Sequence, residues 1–150
     1  MKKYLIITIL ALLISGCSMG KLESSMLTFA GESESWSVII TEDLRTITHT
    51  DERGHTSRKH SSRMKMYIKY VGKSVEEIDE VRYEFKIGSS YGVSVDQLNQ
   101  YGAIILPIGS NNARVYEDSI IKMTFEWNGL VEELEAIYDE NKIHLSAILN

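Results

Sequence analysis

Apolar and polar residues alternate with a period of two along much of this chain. Val81, Tyr83, Phe85 and Ile87 fall on one side of an extended backbone, with Arg82, Glu84 and Lys86 on the other. Ile121, Met123, Phe125 and Trp127 repeat the pattern against Lys122, Thr124 and Glu126. Met64, Met66, Ile68 and Tyr70 repeat it against Lys65, Tyr67 and Lys69, and Trp36, Val38 and Ile40 form a fourth row. Neighbouring side chains of a strand point to opposite faces, so these rows predict antiparallel strands with one face buried and one wet.

The turn residues agree with strands. Asn128-Gly129 follows one row directly, and both residues tolerate a positive φ, the signature of a two-residue hairpin. That turn predicts Trp127 opposite Leu130 and Lys122 opposite Glu135. Residues 130–138 also fit helical spacing, and their glutamates favour helix; the hairpin register favours a strand. Val95 to Gln100 reads as a short helical turn capped by Ser94. Gly109 to Asn112 reads as a loop after the apolar run Ala103 to Ile108, with Pro107, the only proline, near a strand end or edge. Ile143, Leu145, Ala147 and Leu149 suggest a terminal strand. About seven strands at this spacing predict a mainly β fold, an antiparallel, immunoglobulin-like β-sandwich without the Cys…Trp…Cys framework of antibody domains.

The N-terminus has another character. Lys2 and Lys3 precede the apolar stretch Tyr4 to Ile14, and Ser15-Gly16 supplies small residues before Cys17, the only cysteine. This is the layout of a secretory signal. The stretch is too short to cross about 30 Å of hydrocarbon, which takes roughly 20 residues. Ile14-Ser15-Gly16-Cys17 resembles the lipobox of bacterial lipoproteins. The resemblance implies cleavage before Cys17, a diacylglyceryl thioether on its sulfur, and a lipid-anchored protein on the extracytoplasmic face of the cell membrane. Residues 1–16 are then a signal peptide, 17–25 the lipidated cysteine and a tether, and 26–150 the β-sandwich domain. Phe29-Ala30-Gly31-Glu32-Ser33-Glu34-Ser35-Trp36 also resembles a Gly-Glu-Ser-Glu-x-Trp motif of small, mostly uncharacterised lipoproteins of Gram-positive bacteria. In that family the motif leads into the first strand of a compact β domain, and Trp127-Asn128-Gly129 resembles its late hairpin. The family brings no catalytic residues with it.

Charge refines this picture. The net formal charge is −5, and removing Lys2 and Lys3 with the signal takes it to −7. Nucleic acid is therefore not an expected partner. With no cysteine after Cys17, the domain has no disulfide and must rest on apolar burial. Against the acidic background, Arg53, Arg58, Lys59, Arg63, Lys65, Lys69 and Lys73 form a stretch without acids. On a strand, Arg63, Lys65, Tyr67 and Lys69 would line its wet face. Such a stripe fits anionic lipid headgroups, an anionic wall polymer or an envelope protein. The plainer reading is protection of an exposed edge by lysine.

Three further constellations carry candidate chemistry. His49, His55 and His60, with Asp51 and Glu52, are metal-ligand types, but their spacing matches no mechanical metal motif, and the polar stretch 48–62 also reads as a solvated loop or hairpin tip. Gly88-Ser89-Ser90-Tyr91-Gly92 satisfies G-x-S-x-G, with Asp139 and His144 following in hydrolase order; the expected context, a strand feeding a helix in a parallel sheet, is missing. Acid pairs at Glu76-Glu77, Asp79-Glu80, Glu132-Glu133 and Asp139-Glu140 could serve a glycosidase only if folding sets two across a cleft. The expected role is a non-catalytic binding module on a membrane-anchored lipoprotein that needs no cofactor. The alternatives are an inhibitor of an envelope enzyme, a small secreted hydrolase, or a metal- or solute-binding lipoprotein using the histidine loop.

Overall fold

The computed structural model describes residues 21–88, 90–108 and 115–142. The proposed signal, Cys17, the 143–149 row and His144 lie outside them. Eight strands follow in order: β1 (Lys21–Glu32), β2 (Trp36–Thr50), β3 (Thr56–Tyr70), β4 (Val81–Ile87), β5 (Ser90–Asp96), β6 (Ala103–Ile108), β7 (Ile121–Trp127) and β8 (Leu130–Tyr138). They form one sheet in the order β5-β4-β7-β8-β1-β2-β3-β6. Pairs β4–β5, β4–β7, β7–β8, β1–β8 and β3–β6 are antiparallel. Among the described residues no helix is long and apolar enough to cross a membrane.

The chain divides into two compact units. The larger holds Ser25–Leu44 and the chain from Ser62 onward, and contains the core. Its sheet cannot be flat. Trp36 of β2 stacks on Phe125 of β7 with ring centroids 4.7 Å apart, although the two strands are three steps apart in sheet order. Three steps across a flat sheet would be about 14 Å. The connection Gln97–Gly102 gives the same answer, since it joins β5 and β6, the two outermost strands. That stretch spans at most roughly 25 Å, against about 34 Å across eight flat strands. The sheet therefore folds over and packs its apolar rows on one another. Trp36, Phe125, Tyr70 and Trp127 meet at the centre, Trp36 stacked on Phe125 and edge-on to Tyr70 and Trp127.

The predicted rows supply this core. Val81, Tyr83, Ile87, Ile121, Met123, Phe125 and Trp127 are buried, as are Met64, Met66, Ile68, Tyr70, Trp36, Val38 and Ile40. The hairpin also forms in the expected register, Trp127 opposite Leu130 and Lys122 opposite Glu135. Asn128 and Gly129 adopt φ of 46° and 76°, so residues 130–138 are strand.

Several expectations are corrected. The tether read as 17–25 is not free along its described part, because Lys21–Ser25 already belongs to β1. Val95 to Gln100 holds no helical turn: Val95 and Asp96 end β5, and Asn99 instead closes a turn by accepting from Tyr101 N and Ala103 N through Oδ1. Pro107 does lie on an edge strand, β6.

The smaller unit comprises Arg45–Ser61 together with the described residues Lys21–Ser24. It joins the outer part of the β2–β3 hairpin with the start of β1. Asp51 caps its turn, accepting from Arg53 N and His55 N, while Thr50 contacts Thr56 and Thr46 contacts His60 across the pair.

Candidate functional site

The basic stripe is only partly a surface. Arg63, Lys65 and Lys69 are exposed on β3, but Tyr67 between them is buried at 8% exposure. It pairs with Ile105 of β6, and β3 runs between β2 and β6. The lysines therefore do not guard an edge, which corrects that reading. They stand on a strand paired on both sides.

The histidines do not converge. His60 contacts Thr46 Oγ1 at 3.0 Å, and His55 Nδ1 lies 3.3 Å from Asp51 Oδ2 at the hairpin tip. His49 sits three positions from Thr46, at the opposite strand parity, so its side chain leaves the other face of the ribbon. Among the described residues no three His, Cys, Asp or Glu come together to hold a metal. The Asp51 carboxyl is held below its ordinary range chiefly by the backbone N–H of His55.

In the G-x-S-x-G segment Gly88 is a turn residue after β4, and Ser90 to Gly92 open β5. Gly88 has φ of 56°, and β4 pairs with β5 straight back through Ile87 opposite Ser90. No helix follows it, so the elbow geometry is not built. Gly92 is there for another reason: a Cβ would stand 2.3 Å from the Phe85 ring, which fills the space.

Of the paired acids, Glu132 alone is drawn into a specific nest. Its Oε2 accepts from Ser33 Oγ (2.7 Å) and Ser35 N (3.0 Å), and its Oε1 from Ser35 Oγ (2.6 Å). Burial opposes its ionisation, and the serine hydrogen bonds outweigh that, leaving the carboxyl below its ordinary range. The Gly-Glu-Ser-Glu-Ser-Trp segment is thus a clasp between the β1–β2 turn and β8. Gly31 in the same segment has no room for a side chain, since a Cβ would lie 2.6 Å from Glu135 O. Nothing in the spacing of the motif identified Glu132 as its partner.

One further surface is not legible in the sequence spacing. Strand register sets three rows across the wet face of β5, β4, β7 and β8: Val95-Arg82-Glu126-Val131, Val93-Glu84-Thr124-Glu133 and Tyr91-Lys86-Lys122-Glu135. The middle columns are mostly charged, three cations against two anions. Arg82 pairs with Glu84 and, at 3.0 Å, with Glu126, and Lys122 pairs with Glu135 at 2.9 Å. Glu84 is held below its ordinary range, first by the Tyr91 hydroxyl and then by Arg82. The β5 column is apolar and open, with Tyr91, Val93 and Val95 exposed, whereas the β8 column is Val131, also exposed, with Glu133 and Glu135. Between Val95 and Val131 lies an open cleft of about 460 Å³ floored by the Arg82–Glu126 pair. Beneath this sheet the Tyr83 hydroxyl donates to Asp96 at 2.6 Å, and burial followed by that bond pushes its pKa up to about 12. Ion pairs on β4 and β7 beside exposed apolar side chains on β5 offer shape and apolar area for contact with another surface.

No family model matches this chain, and neither a curated protein nor a solved structure matches it.

Proposed function

We propose that this chain is a bacterial lipoprotein, anchored through Cys17 on the extracytoplasmic face of the cell membrane, that presents a non-catalytic interaction domain. One observation carries the reading: Ile14-Ser15-Gly16-Cys17 closes an apolar run, and β1 opens at Lys21, four positions later. Four positions span at most roughly 14 Å, so the domain would begin close to the headgroups. Two acyl chains suffice for stable anchoring where one does not.

The exposed apolar side chains of β5 and β8 support interaction as the role, and the Gly-Glu-Ser-Glu-x-Trp resemblance supports the family context. The two-layered, immunoglobulin-like sandwich belongs to the same proposal. The Trp36–Phe125 stack and the connections β3–β4, β5–β6 and β6–β7, each linking strands far apart in sheet order, favour it. Arg63, Lys65 and Lys69 are the exposed basic groups that this reading directs at anionic lipid or wall polymer.

Cys17→Ser tests the anchor. It is expected to release the protein from the membrane or leave the precursor uncleaved, and unchanged retention with unchanged mass overturns the reading. Lys65→Glu/Lys69→Glu is expected to abolish salt-sensitive sedimentation with anionic vesicles; equal sedimentation of the variant removes the basic groups from the proposal.

A further inference from the structure

We propose that β5 is a self-association edge: it pairs antiparallel with β5 of a second copy of this chain, about a two-fold axis through Val93. Among the described strands β5 has one neighbour, β4, and its other side is a sheet edge. Natural edges are usually blunted by lysine, proline or a bulge that discourages pairing. The opposite edge follows that habit, with Pro107 in β6. β5 does not. Its seven residues, Ser90 to Asp96, hold no proline and no basic residue, and its wet face presents Tyr91, Val93 and Val95 at 62%, 45% and 52% exposure.

The occupant is argued from the strand's own complementarity. Centring the two-fold on Val93 is the one arrangement that pairs all seven residues. It sets Val93 against Val93, Tyr91 against Val95, Gly92 against Ser94 and Ser90 against Asp96. The apolar residues then share one face and the small polar residues the other. The only charge in the strand, Asp96, meets a hydroxyl and never its own copy, and like charges directly opposite would be destabilising. In the next column inward Arg82 pairs with Glu84, and Lys86 stands opposite Tyr91. Such an interface is isologous and closes at two copies.

A seven-residue strand pair buries less than the 1,200–2,000 Å² of standard stable complexes. The dimer is accordingly weak in dilute solution and is favoured where copies are concentrated together. That concentration rests on the membrane anchor proposed above, whereas the pairing itself does not.

Cysteine cross-linking of the full chain in its native membrane tests the edge. Directly opposed residues of an antiparallel pair have Cα atoms about 4.5–5.5 Å apart, inside the 4.4–6.8 Å range of disulfides. Val93→Cys is expected to form a reducible dimer under mild oxidation. Val131→Cys, exposed on the same face but on β8, is expected to form about ten-fold less, because its geometry cannot meet that distance limit. Tyr91→Cys alone is expected to stay monomeric, and to cross-link when co-expressed with Val95→Cys. A Val93→Cys protein that cross-links no better than Val131→Cys, or that couples to a different protein, overturns the proposal. Cross-linking of the wild type would place a free thiol at Cys17 and overturn the lipid anchor alone; the edge is then scored in a Cys17→Ser background, with a soluble protein at high concentration.

Discussion

At Glu132 a single carboxylate ties together groups nearly one hundred positions apart, accepting from Ser33 and Ser35 in the turn between β1 and β2. Hydrogen bonds to a charged acceptor contribute about 1.5–3 kcal/mol when well placed, and partial exposure here reduces that. Glu132→Ala is expected to lower stability by about 1–2 kcal/mol in urea denaturation. The folded carboxyl titrates below its unfolded value. Its contribution is therefore complete above the unfolded pKa, near 4.3, and is lost as pH falls through the lower folded pKa. Wild type should lose stability over this acid window more steeply than Glu132→Gln, and parallel pH–stability curves would refute the assignment. Glu42 poses the opposite case. It is fully buried on the same strand face as Trp36, Val38 and Ile40; Oε1 accepts from Ser62 at 2.5 Å, and Oε2 has no partner among the described residues. A buried polar atom left unpaired costs about 1–3 kcal/mol, so Glu42→Met, of similar length and apolar, is expected to raise Tm by about 3–5 °C. The alternating pattern hid this residue, because an acid at the end of an apolar row looks like the point where the row meets water. Lys122–Glu135 was legible by contrast, since a two-residue turn fixes which residues face each other.

At the scale of elements, legibility followed one-sided burial. β4 and β7 each bury one face and wet the other, and the inner half of β3 does so except at Tyr67, so their periodicity is visible. β5 inverts the rule. The Phe85 ring occupies the space above Gly92, so its core side carries small residues and its apolar side chains point to water. A reader of the sequence meets Ser, Gly and Ser where a core row is expected. β1 was hidden for a related reason: Lys21 to Ser25 is exposed throughout and shows no alternation, and only Thr28 to Gly31 are buried. The β7–β8 turn was legible because its chemistry is local. Gly129 has φ of 76° and open space where a Cβ would lie, so Gly129→Ala carries only the left-handed backbone cost of about 1–2 kcal/mol. Gly31→Ala tests the contrary mechanism. There the added Cβ meets the backbone carbonyl of Glu135, which cannot rotate away. The expected loss is larger, about 2–4 kcal/mol, and a smaller loss at Gly31 than at Gly129 would contradict the account of both glycines.

On the scale of the whole molecule, the apolar rows and the polar stretch between Arg45 and Ser61 divide the work unequally. Strands β2 and β3 run through both compact units, yet their burial changes abruptly along their length. Trp36 to Glu42 includes five residues with no more than slight exposure, whereas Arg45 to Thr50 and Thr56 to Ser61 contain none that are buried. Hydrophobic burial is the main favourable term in folding, so the outer hairpin contributes ribbon hydrogen bonds and little else. Only the exposed start of β1 shares this unit with the hairpin, and small ribbons without a covered face are marginal in water. Two consequences can be measured on the same protein. Amides of residues 45–61 are expected to exchange with deuterium through local opening, at rates insensitive to added urea, while those of β4 and β7 exchange only with global unfolding. Replacing residues 45–61 by an Asn-Gly turn that joins Leu44 to Ser62 is expected to move Tm by less than about 2 °C. A large drop in Tm, or protection of the hairpin amides equal to that of β7, would mean that the polar hairpin carries part of the core's stability. The same deletion leaves β5 untouched, so cross-linking through Val93→Cys should survive it, separating the self-association edge from the histidine-bearing hairpin.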